Sequence, residues 1–194
     1  CWLLAGATRV GSSAASDVYK GQRQVMQLAY DLGSRVVTNH VGQVPGKPEG
    51  PEWDLLVDVL SQLGRHGQHV GAVLAATSGS EEPAHMKQLL EALPEGLLGI
   101  DLDPGQLMVN GFSPSEFSRL LASRVVHVHA NAAVRDLARG RGEETKLGQG
   151  SVDFAEILGL LEQQGYDGYF TVGRQSATHP VLEAREAIQY LRAF

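Results

Sequence analysis

This 194-residue chain has a single cysteine, Cys1, so no internal disulfide framework holds it together. It also lacks a basic excess: 16 Lys and Arg stand against 22 Asp and Glu, for a net charge of −6. A protein that grips nucleic-acid backbones carries the opposite balance, so nucleic acid is not an expected partner. No apolar run approaches the roughly 18 residues that cross a bilayer. No basic segment leading into a short apolar stretch opens the chain either. A membrane partner is therefore not expected, and the expected location is the cytoplasm. Nucleotide signatures are missing too: no Gly-x-Gly-x-x-Gly follows the first apolar run, and no Gly-Lys-Ser/Thr loop occurs.

What the chain does have is alternation. Short apolar runs fall at residues 2–7, 35–41, 70–76, 97–102, 124–130 and 169–172. Their near-continuous apolar character suits parallel strands covered on both faces. Helical stripes lie between them. Val25, Leu28, Ala29 and Leu32 form one that Gly33 closes; Trp53, Leu56, Val57, Leu60 and Leu63 form another that Gly64 closes. Met86, Leu89, Leu90 and Leu93 make a third. Ser113-Pro114-Ser115-Glu116 and Asp153-Phe154-Ala155-Glu156 place a capping side chain three residues before a Glu, the spacing that satisfies free N–H groups at a helix start. The last helix is expected over 180–191.

Six strand-then-helix units with no linker between them make a single α/β domain over 1–194. An open doubly wound sheet and a (β/α)8 TIM barrel both fit this rhythm. The first lacks its usual nucleotide motif, and the second needs eight units. The chain opens abruptly on Cys1-Trp2-Leu3-Leu4-Ala5, as though two units preceded it.

In a parallel barrel, polar residues at the C-terminal ends of strands converge on one mouth. Here they are Thr8, Arg9, His40, Thr77, Ser78, Asp101, Asp103, His127, His129 and Arg174. The loops 42–51 and 139–150 follow strands on that same side. Alternation puts His127 and His129 on one side of their strand, and Asp101 and Asp103 share a face. Imidazole and carboxylate are ligands of divalent ions, and His40, Asp103 and His129 form such a set. The plainer alternative for Asp103-Pro104 is a turn. His66 and His69, in a helix-to-strand connection, and His85, at a helix start, read as solvated surface.

Several segments carry a family resemblance. They are Ala29-Tyr30-Asp31-Leu32-Gly33-Ser34-Arg35-Val36-Val37, then Gly99-Ile100-Asp101-Leu102-Asp103-Pro104-Gly105-Gln106-Leu107, then Val125-Val126-His127-Val128-His129-Ala130. Leu147-Gly148-Gln149-Gly150-Ser151-Val152-Asp153 and Gly165-Tyr166-Asp167-Gly168-Tyr169 complete the series. In order and spacing they resemble the sugar phosphate isomerase/epimerase family. That family belongs to the xylose-isomerase-like barrel superfamily, with the ketose 3-epimerases, inosose dehydratases and endonuclease IV. The resemblance implies a (β/α)8 barrel of which this chain holds strands three to eight. It also implies a divalent metal (Mn, Mg or Zn) at the mouth, held by Glu, Asp, His and Glu. The Asp matches Asp103 and the His matches His129. His40-Val41-Gly42 resembles the endonuclease IV segment bearing a zinc-binding His. Gln106, His127 and Arg135 fall where substrate is contacted. The implied ligand is a small sugar or sugar phosphate, and assembly as a homo-oligomer is left open.

The two glutamates do not carry over: Thr77 and Gly173 stand in their places, and neither can move a proton near neutral pH. Two readings therefore stand side by side. One is a metal-dependent isomerase or epimerase, with acid/base work moved to His127, Glu143 or Glu144. The other is a barrel without catalysis that binds a sugar-like ligand or a partner, its metal weak or absent.

Overall fold

A computed structural model describes residues 12–135, 142–174 and 176–194, with residues 12–18 by backbone alone. The expected strand at 2–7, with Thr8 and Arg9, and the start of the 139–150 loop lie outside these residues. In chain order the elements are α1 (Ser12–Asp31), β1 (Val36–Asn39), α2 (Pro51–Val70), β2 (Val73–Thr77), α3 (Pro83–Ala92) and β3 (Gly99–Leu102). Then follow α4 (Pro104–Val109), α5 (Pro114–Leu121), a 3-10 turn (Ala122–Arg124), β4 (Val125–His129) and β5 (Ala132–Val134). The rest are β6 (Glu143–Thr145), α6 (Phe154–Gln163), β7 (Phe170–Thr171) and α7 (Pro180–Leu191). One sheet runs β1-β2-β3-β4-β7, and β5 and β6 form a separate pair. None of the described helices is long and apolar enough to cross a membrane.

The chain divides into two compact units, Cys1–Thr77 with Ala84–Ile100, and Ser78–Pro83 with Asp101–Phe194. In the first unit β1 pairs in parallel with β2, Val36 opposite Val73 and Asn39 opposite Ala76. Helix α2 buries Trp53, Leu56, Leu60 and Leu63 along one stripe, each such side chain contributing about 1.5–3 kcal/mol on leaving water. The stripe does not end at Gly64, where the sequence suggested a stop; α2 continues to Val70 and Gly71 caps it in the left-handed region, φ 87°. Gly64 is present for a different reason: a Cβ there would lie 2.5 Å from both the Cβ and the carbonyl oxygen of Leu97. At Gly67 a Cβ would meet the carbonyl of Ala72. His66 and His69 consequently sit within α2 rather than in a connection, and the ring of His66 reaches the Arg23 carbonyl at 3.3 Å.

In the second unit β4 pairs in parallel with β7, Val128 opposite Phe170 and His129 opposite Thr171. The two expected helix starts are built as read: Ser113 Oγ accepts from Glu116 N at 3.2 Å, and Asp153 Oδ1 from Glu156 N at 3.0 Å. The long loop after β4 contains an element of its own, an antiparallel β5–β6 pair with Ala132 opposite Thr145 and Val134 opposite Glu143. Phe117, Phe154, Ile157 and Leu161, from α5 and α6, are at most 1% exposed and form the core of this unit.

Candidate functional site

Asp101, on β3, is fully buried. An ionised carboxylate without water needs donors, and two imidazoles from β4 supply them. His127 Nδ1 lies 2.8 Å from Asp101 Oδ1, and His129 Nδ1 lies 2.9 Å from both carboxylate oxygens. The strand's alternation, which turns residues 127 and 129 to one face, lets both rings meet the same carboxylate. The rings also touch edge to face, with centroids 4.8 Å apart. A carboxylate only accepts, so each Nδ1 carries the hydrogen. Thr171 Oγ1, brought alongside by the β4–β7 register, stands 2.8 Å from His127 Nε2 and completes that ring's bonding. His129 Nε2 has no hydrogen-bond partner among the described residues, and its side chain is 32% exposed. Hydrogen bonding to Asp101 holds the His129 imidazolium together and raises its pKa, against the opposing effect of partial burial.

Asp103, two residues on, starts the six-residue helix α4. Its Oδ1 accepts from Gln106 N at 2.9 Å, and its Oδ2 from Asn131 Nδ2 at 3.2 Å. Burial pushes its carboxyl up to about 6, although Gln106 N–H, the His129 charge and Asn131 all work the other way. The two Asp backbones are tied together by Ser78, whose N donates to the Asp101 carbonyl and whose Oγ accepts from Asp103 N, both at 2.9 Å. Gly79 in the same loop is at φ 130°, and a Cβ on it would meet the Cβ of Gln106 at 2.5 Å.

One carboxylate oxygen and two imidazole nitrogens, from Asp101, His127 and His129, all lie within 4.8 Å of one another. This donor chemistry suits a divalent ion. A second arrangement uses the same residues differently. Asp101 fixes the ring of His129 through Nδ1, as carboxylates orient metal-binding histidines, and leaves Nε2 without a hydrogen bond.

A family model described as xylose isomerase-like TIM barrel matches residues 11–194. The chain belongs to the xylose isomerase-like TIM barrel family. An inosose dehydratase of Geobacillus thermodenitrificans is 24% identical over 224 residues, spanning 98% of this chain and 74% of that protein. An inosose dehydratase of Clostridium beijerinckii is 25% identical over 161 residues, spanning 73% of this chain and 54% of that protein. The chain thus spans from about half to three quarters of the length of these relatives. Among solved structures, a xylose isomerase domain protein from Planctomyces limnophilus superposes with a TM-score of 0.85 at 26% identity, over 95% of this chain and 68% of that one. A xylose isomerase-like TIM barrel protein from Mycobacterium smegmatis, in complex with magnesium, gives 0.77 at 17% identity, over 93% and 67%.

The barrel class expected from the sequence is therefore the class of the fold. Of the residues expected at the mouth, His127 and His129 meet on Asp101, and Asp103 is joined to this group through Ser78 and Asn131. Gln106 donates its backbone N–H to the capping carboxylate of Asp103, and its side chain is exposed. Arg135 is also exposed, its Nη2 donating to the Gly111 carbonyl at 3.1 Å. His40 belongs to the first unit, where its side chain is exposed. Glu144 accepts from both N and Oγ of Ser176 at 3.3 Å. Two residues of the site, Thr171 and Asn131, were not singled out in the sequence, and Asp101 was read as a residue of the mouth but not as the hub. The signal for Asp101 was its shared face with Asp103.

Proposed function

We propose that this chain handles a small sugar or related polyol by metal-assisted chemistry at the ends of its parallel strands, as an isomerase, epimerase or dehydratase. The observation that carries the reading is the Asp101 hub with His127 and His129 at the ends of β3 and β4, in a chain of this family. In this proposal His129 Nε2 and Asp103 hold the cation, Asp101 orients both imidazoles, and Thr171 holds His127 in place. The metals in view are Mn, Mg and Zn; the relative from Mycobacterium smegmatis binds magnesium. A bound divalent ion would supply a Lewis acid for a sugar oxygen. Two protein ligands, where catalytic zinc sites have three, make the affinity weak. Gln106, His127 and Arg135 are the proposed substrate contacts.

Calorimetric titration with Mn²⁺ tests the first step. The wild type is expected to bind, and His129→Ala to lose binding. Metal-dependent exchange of the hydrogen next to the carbonyl of a ketose in D2O tests the second. Absence of Mn²⁺ binding at any concentration overturns the reading.

A second reading, binding without turnover, is favoured by one observation. Gly173, where the family commonly carries a glutamate, leaves space in which a Cβ would meet nothing within 4 Å. Metal binding with no hydrogen exchange, and exchange restored by Gly173→Glu with Thr77→Glu, would decide for it.

A further inference from the structure

Thr171, at the end of β7, is exposed, and it stands at the outer end of a line of hydrogen bonds that begins at a buried carboxylate of the same unit. Asp101 Oδ1 lies 2.8 Å from His127 Nδ1, and His127 Nε2 lies 2.8 Å from Thr171 Oγ1. The direction of both bonds follows from the donors available. Asp101 only accepts, so Nδ1 carries the ring hydrogen; Nε2 then offers a lone pair, and the Thr171 hydroxyl donates to it. Exposure rises along the line, from 0% for the Asp101 side chain to 12% for that of His127, and then to the exposed Thr171.

Nucleophilic catalysis needs this order: a hydroxyl within reach of a base, and the base oriented by a third group. The third group is itself held. His129 Nδ1 lies 2.9 Å from Asp101 Oδ2, so the carboxylate cannot swing away from His127. The His127 ring is fixed between Asp101 and Thr171 and against the His129 ring, whose centroid is 4.8 Å away. Two residues beyond Thr171, Gly173 is exposed and a Cβ on it would meet nothing within 4 Å, so no side chain at 173 closes the approach to the hydroxyl. The backbone N–H of Gly173 donates to no backbone carbonyl among the described residues. It is the donor at hand for the negative charge that builds on a carbonyl oxygen under attack.

We propose that Thr171 is a nucleophile activated by His127 and Asp101, and that it takes the acyl group of a small ester. Thr171 Oγ1 bonds to the acyl carbon while His127 Nε2 takes the hydroxyl proton. The bond from the acyl carbon to the leaving oxygen then breaks, and the proton goes from His127 to that oxygen, releasing an alcohol and leaving an acyl ester on Thr171. Water attacks this ester in the same way, giving a carboxylic acid and the free hydroxyl. The activity is distinct from the sugar chemistry proposed above and draws on no metal.

The test uses the whole chain in EDTA at pH 7.5 with p-nitrophenyl acetate as the probe. Peptide mass spectrometry follows acetylation of each hydroxyl over time, with the exposed Thr178 as the reference. Thr171 is expected to be acetylated about 10²-fold or more faster than Thr178, the advantage that a positioned base supplies. His127→Gln keeps a hydrogen-bonding group but takes no proton at this pH, and should bring Thr171 down to the rate of Thr178. Circular dichroism confirms that the variant is folded, and the comparison of Thr171 with Thr178 in wild type stands without it. Because EDTA removes any metal, this result and Mn²⁺ binding succeed or fail independently. The proposal is overturned if Thr171 is acetylated no faster than Thr178, or if folded His127→Gln is labelled at Thr171 as fast as wild type.

Discussion

Replacing Asp103 by Asn should stabilise the metal-free protein at neutral pH, and the gain should vanish in acid. Asp103 is 6% exposed, and burial raises its pKa from 3.8 to about 6. A group whose folded pKa is raised stabilises the fold below its unfolded pKa, and that stability is lost as pH rises through the folded value. At about 1.4 kcal/mol per pH unit, the displacement amounts to a cost of about 3 kcal/mol once the carboxyl is ionised, above pH ~7. Asparagine carries no charge and still caps: its Oδ1 accepts from Gln106 N as the carboxylate does. Its NH2 would face the Asn131 amide, which can turn over and offer the Oδ1 now without a partner. Most of the 3 kcal/mol should thus be recovered, about 2 kcal/mol, or some 4–8 °C in Tm for a chain of this size. Urea unfolding followed by circular dichroism, in EDTA at pH 7.5 and pH 4, reads the difference. The reasoning fails if Asp103→Asn is less stable than wild type at pH 7.5, or if the difference between the two proteins is the same at both pH values.

Asp101→Ala should be harsher, losing about 3–5 kcal/mol in urea unfolding near neutral pH, because two ring N–H groups lose their shared acceptor. A loss below about 1 kcal/mol would mean the imidazoles do not depend on it. Gly64→Ala should destabilise by about 2 kcal/mol or more, since the new methyl overlaps Leu97. Gly21→Ala, in α1 where a Cβ meets nothing within 4 Å, should instead stabilise by about 0.5–1 kcal/mol. Parallel thermal melts of the two alanine variants check the opposite signs.

The elements legible in the sequence were those whose signal is local. Ser113, Asp153 and Pro180 mark helix starts by chemistry that acts within one turn, and all three helices begin where those residues stand. Gly64 misled because a glycine after an apolar stripe looks the same whether it ends a helix or admits a neighbour at close range; only Leu97, 33 positions away, distinguishes the two. β5 and β6 have three residues each, too few for any alternation to register. In the site, the His127 and His129 pair was visible because the alternation lies within one strand. The bond from both rings to Asp101 crosses from β4 to β3, and no pattern along the chain encodes it. Asp103-Pro104 was read both as a ligand and as a turn; the structure makes it a helix cap next to an imidazole.

The glycines of α2 have a consequence for how this protein folds. Each of Gly64 and Gly67 lowers intrinsic helicity by about 1 kcal/mol relative to alanine, and Gly71 ends the segment soon after. A peptide of residues 51–70 would therefore be mostly unfolded in water. The helix must gain its order while docking rather than before, which couples its formation to closure of the contacts with Leu97 and Ala72. Folding of the first unit is then expected to be one concerted step, with α2 contributing to the barrier instead of waiting preformed.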